Sequence, residues 1–120
     1  MLYIAGPDEL AGIRAAWQRL EELVPLRGRR FIGAAWDGEG VYWACVERLA
    51  GEESGDLEEG VLPGGRYLRE RLRGEPPALY DRIAPGFDAL ASTAPRDPAR
   101  PLLEHYRRRN EVDLLMPLAG

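Results

Sequence analysis

The second half of this chain repeats the apolar spacing of the first at a fixed offset of 70 residues. Ile13 falls on Ile83, Trp17 on Phe87, Leu20 on Leu90, Ile32 on Leu102, Trp36 on Tyr106, Ala44 on Leu114 and Val46 on Met116. Helical and strand positions keep the same offset, so the chain reads as one β-α-β-β unit written twice. Its 120 residues bury one core and are too few for two independent ones. The expected organisation is a single α+β domain over 1–120, with repeats at about 1–50 and 61–120. An acidic, glycine-bearing, structureless loop at 51–60 separates them.

Gly6-Pro7-Asp8-Glu9 predicts a helix start, with proline at the first helical position and acids where the helix dipole favours them. Leu10, Ile13, Trp17, Leu20 and Val24 follow at helical spacing and form one apolar stripe ending near Pro25. Strands are expected at 30–36 and 41–47, joined by the turn Asp37-Gly-Glu-Gly40. The second unit supplies a strand at 66–72 and a helix opened by Gly74-Glu-Pro-Pro77, with the stripe Leu79, Ile83, Phe87 and Leu90. Pro85 predicts a kink or break in that helix. Two strands at 100–107 and 111–118 close the chain.

Side chains on a strand alternate between faces. A four-residue loop at 37–40 sets Trp36 opposite Val41, Ala34 opposite Trp43 and Ile32 opposite Cys45. The same rule in the second unit groups Leu102, Glu104 and Tyr106 with Asp113 and Leu115. The opposite face then holds Phe31, Tyr42, Ala44, Val46, Leu103, Val112, Leu114 and Met116, which suit a core beneath two helices. Trp17 and Tyr80 are likewise expected in the core. The face turned away from the helices is aromatic for a surface and carries one acid, the pattern of a binding cleft or an interface.

Glu104 is the strongest functional handle. A carboxylate between Leu102 and Tyr106 is costly unless a cation or a hydrogen-bond donor meets it; otherwise it is a solvent-facing strand residue. Asp113 across the hairpin could raise its pKa, and Arg69 could equally neutralise it. Trp36, Trp43 and Tyr106 are the aromatic rings that share this face with Glu104. Cys45 is the only cysteine, which excludes an internal disulfide and a cysteine-rich metal site, and His105, the only histidine, adjoins Glu104 on the strand and so faces away from it, which leaves no nucleophilic triad. No metal or cofactor is expected. A net charge of −4 argues against direct nucleic-acid binding, and the run Arg107-Arg108-Arg109 reads as a hairpin loop. No long apolar run or leader-like start is present, so a cytoplasmic protein without membrane contact is expected. All sixteen basic residues are arginine, which fits a GC-rich genome or a heat-adapted host and specifies no function.

The repeated unit, the lead-in Leu62-Pro-Gly-Gly-Arg-Tyr67, the strand carrying Glu104-His-Tyr106 and the terminal Glu111-Val-Asp-Leu-Leu-Met-Pro117 together resemble the GyrI-like small-molecule-binding domain. That family includes effector domains of AraC-type and MerR-type multidrug regulators. The resemblance covers Ile4 through Leu118 and implies a curved antiparallel sheet of eight strands, with both helices on its convex side and the ligand cleft on the other. It implies that Glu104 meets cationic aromatic ligands, with Trp43, Trp36, Tyr67, Tyr106, Cys45, Leu102 and Leu115 around it.

No helix-turn-helix accompanies the domain here, so the reading is a stand-alone binder of hydrophobic, aromatic, cationic small molecules. The alternative is a hydrolase that opens cyclopropane-bearing DNA-alkylating compounds, with Glu104 activating water and Tyr67 donating to the developing oxyanion. A gyrase-inhibitor-like module with gyrase or a regulator as protein partner is the third.

Overall fold

A computed structural model of the protein describes residues 1–25 and 28–119. The chain is α+β, with the element order β1 (Leu2–Pro7), α1 (Leu10–Leu23), β2 (Phe31–Trp36), β3 (Val41–Val46), β4 (Glu58–Glu59), β5 (Tyr67–Arg73), α2 (Ile83–Ala91), β6 (Leu102–Arg108) and β7 (Glu111–Pro117). The described strands form one seven-stranded sheet, all antiparallel, in the order β4-β1-β3-β2-β6-β7-β5. The three-strand set β1-β3-β2 is answered by β5-β7-β6 around the central β2–β6 pair, as a duplicated β-α-β-β unit requires. β4 is a short addition at one edge, where the sequence predicts only loop. Among the described residues the sheet has seven strands, one fewer than the implied eight.

Several local expectations shift for physical reasons. Pro7 closes β1 instead of opening α1, whose N-cap is Glu9. The second helix starts at Ile83, after a 3₁₀ turn at Tyr80–Arg82. Pro85 therefore lies in its first turn, where a missing N–H costs nothing, and the helix runs on without a break.

Both helices lie on one face of the sheet. Ala16 and Leu20 of α1 pack on Leu2, Ala35, Tyr42, Ala44 and Val46. Phe87 and Leu90 of α2 pack on Leu72, Val112, Leu114 and Met116. Leu102 touches both clusters and joins them into a continuous layer.

The first hairpin has the predicted register, with Trp36 opposite Val41, Ala34 opposite Trp43 and Ile32 opposite Cys45. The second does not. Arg108 pairs with Glu111 across the two-residue loop Arg109-Asn110, and the register slips between Tyr106 and Arg108. That bulge places Glu104 opposite Leu114 and Tyr106 opposite Val112, while Leu103 faces Leu115 and His105 faces Asp113. One extra residue turns every upstream side chain to the other face. Leu102, Glu104 and Tyr106 therefore point toward the helices, and Leu103, expected in the helix-side core, points away.

The helix-free face is not an open cleft. β4 and β5 lie at opposite edges of the sheet, so residues 60–66 must span it. Gly60 starts that crossing pressed on Tyr3 and Trp43; a Cβ there would sit 2.8 Å from Tyr3 Cε1 and 3.1 Å from Trp43 Cζ3. Tyr3 stacks on Trp43 with ring centroids 3.7 Å apart, and Trp36 leans on the same indole at 4.5 Å. Ala34 and Cys45 have no exposed surface. The aromatic residues of this face serve as a second packed layer.

Candidate functional site

Between α1 and α2, above the β2–β6 seam, lies a cleft of about 790 Å³. Ile13 and Trp17 line one wall, Tyr80, Ile83 and Phe87 the other, and Phe31, Ala35, Leu102, Glu104 and Tyr106 the floor. The cleft exists because the helices pack on the outer strands of each unit and leave the two central strands between them uncovered.

Glu104 is tied down by two phenols. The Tyr42 and Tyr106 hydroxyls each donate to Glu104 Oε1 at 2.7 Å, and the Trp17 indole N–H donates to the Tyr42 oxygen at 2.9 Å. Oε2 accepts no hydrogen bond among the described residues, yet it is not a fully buried atom, so it opens into the cleft. Burial pushes the Glu104 pKa up and the charge of Asp8 adds to this, while the two tyrosine hydrogen bonds oppose it. Tyr42 and Tyr106 are in turn held far above the usual phenol range by burial and by the adjacent carboxylate. At neutral pH both therefore keep the protons that they donate to Glu104.

This arrangement depends on a glycine. Gly33 faces Glu104 across the β2–β6 pair. A Cβ there would overlap the Tyr42 hydroxyl and lie 2.5 Å from Glu104 Oε1.

The cleft walls are acidic. Asp8, Glu21, Asp37, Asp81, Asp88 and Glu104 line it, against Arg14 alone. Arg96 neutralises Asp37 in a bidentate pair and holds its pKa low. Asp8 has no side-chain partner among the described residues, and burial together with the Asp37 charge raises its pKa.

Of the residues expected at the site, Glu104, Tyr106 and Leu102 meet in the cleft. Trp36, Trp43, Cys45, Tyr67 and Leu115 lie on the other face of the sheet. The Tyr67 hydroxyl donates to the Pro63 carbonyl and its ring lies under Arg100, which places it apart from Glu104. Cys45 is sealed in, with its thiol pKa pushed up to about 12. Asp113 cannot couple with Glu104 because it binds Arg71 on the helix-free face, and Arg69 occupies that face too.

Tyr42, Trp17, Phe31 and Tyr80 are the functional residues that sequence reasoning missed, all of them assigned to the core. Tyr42 and Trp17 do belong to it or pack on it; their polar tips reach the site from there. Their only signal in the sequence is that a buried tyrosine needs a hydrogen-bond partner.

Among the described residues, no three histidine, cysteine, aspartate or glutamate side chains gather as metal ligands would. No described helix is long and apolar enough to cross a membrane. Compared with protein-family models, with curated proteins and with solved structures, the chain matches none.

Proposed function

We propose that this chain is a GyrI-like binder of hydrophobic, aromatic, cationic small molecules, held between α1 and α2 with their charge on Glu104. The observation that carries this reading is the free Oε2 of an otherwise anchored carboxylate at the floor of an aromatic cleft. A cation there regains for Glu104 the interaction that burial removed, and ring faces of Trp17, Phe31, Tyr80 and Tyr106 are at hand for a planar ligand. The surplus of wall carboxylates draws in cations and repels anions.

Fluorescence titration with a cationic rhodamine tests the reading. Glu104→Gln should weaken binding by about 2–4 kcal/mol, roughly 30- to 1000-fold, and leave a neutral planar dye almost unaffected. Equal losses for both dyes would remove the ion-pair role.

One feature favours the hydrolase as a second reading. Oε1 is fixed by two donors while Oε2 stays free at a raised pKa, which suits Oε2 to take a proton from an attacking water. In that case mass spectrometry shows a hydrated, ring-opened product from a cyclopropane-bearing alkylator, and Glu104→Gln abolishes it. Release of the compound unchanged leaves sequestration alone. Tyr67 has no part in either reading.

A further inference from the structure

On the helix-free face, where β2 begins and β6 ends, a hollow of about 300 Å³ is lined by Arg29, Arg30, His105, Tyr106 and Arg107. Phe31 pairs with Tyr106 at the end of the β2–β6 ladder, and the next residues, Arg30 and Arg107, both line the hollow and both act on His105. Two like charges side by side on neighbouring strands repel unless something stands between them.

The surrounding acids do not balance these charges. Arg29 is matched by Glu52 in a bidentate pair at 2.9 and 2.6 Å. Glu111 is shared among Arg71, Arg73 and Arg107, and Asp113 between Arg71 and Arg107, both contacts to Arg107 being 3.7 Å. Arg30 makes no ion pair among the described residues, although the backbone of Glu47 bonds to its carbonyl. Arg71, Arg73 and Arg107 thus share Glu111 and Asp113 while Arg30 pairs with neither, and protonation of His105 would add another positive charge.

We propose that this hollow is an oxyanion site that takes the phosphate or sulfate group of a small molecule through Arg30, Arg107 and His105. Arginine forks suit a tetrahedral oxyanion, and His105 supplies a third donor from the floor. The hollow accommodates such a group with a few attached atoms. Arg29 and Glu52 close one side of it. Burial and the charges of Arg30 and Arg107 hold His105 below the usual imidazole pKa, while Asp113 opposes them. An anion lying between the arginines reverses that balance, so binding takes up a proton at His105. The hollow shares Tyr106 with the Glu104 cleft but none of its proposed oxyanion donors, so it stands whether or not that cleft binds cations.

His105 is the only histidine, so its imidazole resonances report on this site alone. Sodium sulfate serves as a dianion at every pH of interest. Titrated against sodium chloride at equal ionic strength and followed by proton NMR, sulfate should shift these resonances saturably and raise the His105 pKa. Arg30→Gln and Arg107→Gln should each weaken the response by roughly five- to fiftyfold. Arg30→Lys, which keeps the charge and loses the fork, should fall between parent and Arg30→Gln. Arg66→Gln, just before β5 and not among the residues lining the hollow, and Glu104→Gln should bind sulfate as the parent does. Chloride producing the same shift, or Arg30→Gln and Arg107→Gln keeping the full response, would overturn the proposal.

Discussion

At equivalent positions of the duplicated unit, the first half carries Gly33 and Tyr42 and the second carries Glu104 and Val112. The frameworks match, three strands and a helix on each side of the β2–β6 seam. What each contributes to the cleft is different. The second half supplies the acid and one donor, Tyr106; the first supplies the second donor, the indole behind it and, at Gly33, the space for both. A carboxylate on both sides of the seam would set two buried like charges against each other, and an apolar residue on both would leave only a greasy groove. Divergence of two copies yields one charged centre that neither copy could satisfy alone.

Changing Gly33 tests this division most severely. In Gly33→Ala the new methyl must displace the Tyr42 hydroxyl or the Glu104 carboxylate, or spread β2 from β6. Urea denaturation should show a loss of about 1–3 kcal/mol, and rhodamine affinity should fall by more than about a hundredfold. Gly38→Ala is the matched control, since a Cβ there meets nothing within 4 Å. Should the two variants behave alike, Gly33 is not the cradle of the site.

The two donors should also prove unequal. Tyr42→Phe removes a hydrogen bond to the carboxylate and strands the Trp17 indole N–H, whereas Tyr106→Phe removes a hydrogen bond only. Each should cost about 1–3 kcal/mol of stability, with Tyr42→Phe toward the upper end. A smaller loss for Tyr42→Phe than for Tyr106→Phe would shift the burden of holding Glu104 to the second half.

The 70-residue offset made the duplicated fold legible, because apolar periodicity survives divergence. It also holds for the facing of β3 against β7. It fails by one residue on β6, where Glu104 is the counterpart of Gly33 and not of Ala34, since the bulge after Tyr106 consumes a position. No composition cue in Tyr106-Arg-Arg-Arg-Asn110 distinguishes a two-residue loop with a bulge from a four-residue loop. The choice of Glu104 was readable because its chemical cost does not depend on facing. Its neighbours were not, since choosing them required the face. The aromatic helix-free side misled for a related reason: strand patterning cannot show that residues 60–66 cross it.

The pH dependence of stability separates the carboxylates by sign. Glu104 has a folded-state pKa above its ordinary value, so it favours the folded state most when protonated, and that contribution is lost as pH rises from the usual glutamate range through the folded pKa. Asp37, Asp97 and Asp113 are held low by Arg96, Arg100 and Arg71, so their contribution is present above the usual aspartate range and lost on acidification. Comparing Glu104→Gln with the parent cancels the second group. The variant should therefore gain thermal stability over the parent as pH rises from about 4 toward neutrality, the usual glutamate pKa being near 4.3, and then level off. A difference that is flat with pH would mean that Glu104 is solvated like a surface residue.

The smallest expected effect compares the two faces of the sheet through their tryptophans. Trp17 lines the cleft and bonds to the hydroxyl that holds Glu104, so a bound aromatic cation should quench or shift its emission. Trp43 stacks on Tyr3, with Gly60 at the start of the 60–66 crossing against the edges of both rings, and the sheet lies between it and the cleft. In Trp43→Phe the ligand-induced change should persist almost in full on a lower baseline, while in Trp17→Phe it should largely vanish. The Trp17 variant loses a hydrogen bond as well as a fluorophore, so its dye affinity is measured from the dye's own anisotropy. If Trp43→Phe instead abolishes the response at unchanged affinity, the ligand lies on the helix-free face, and the cleft floored by Glu104 is not where aromatic cations bind.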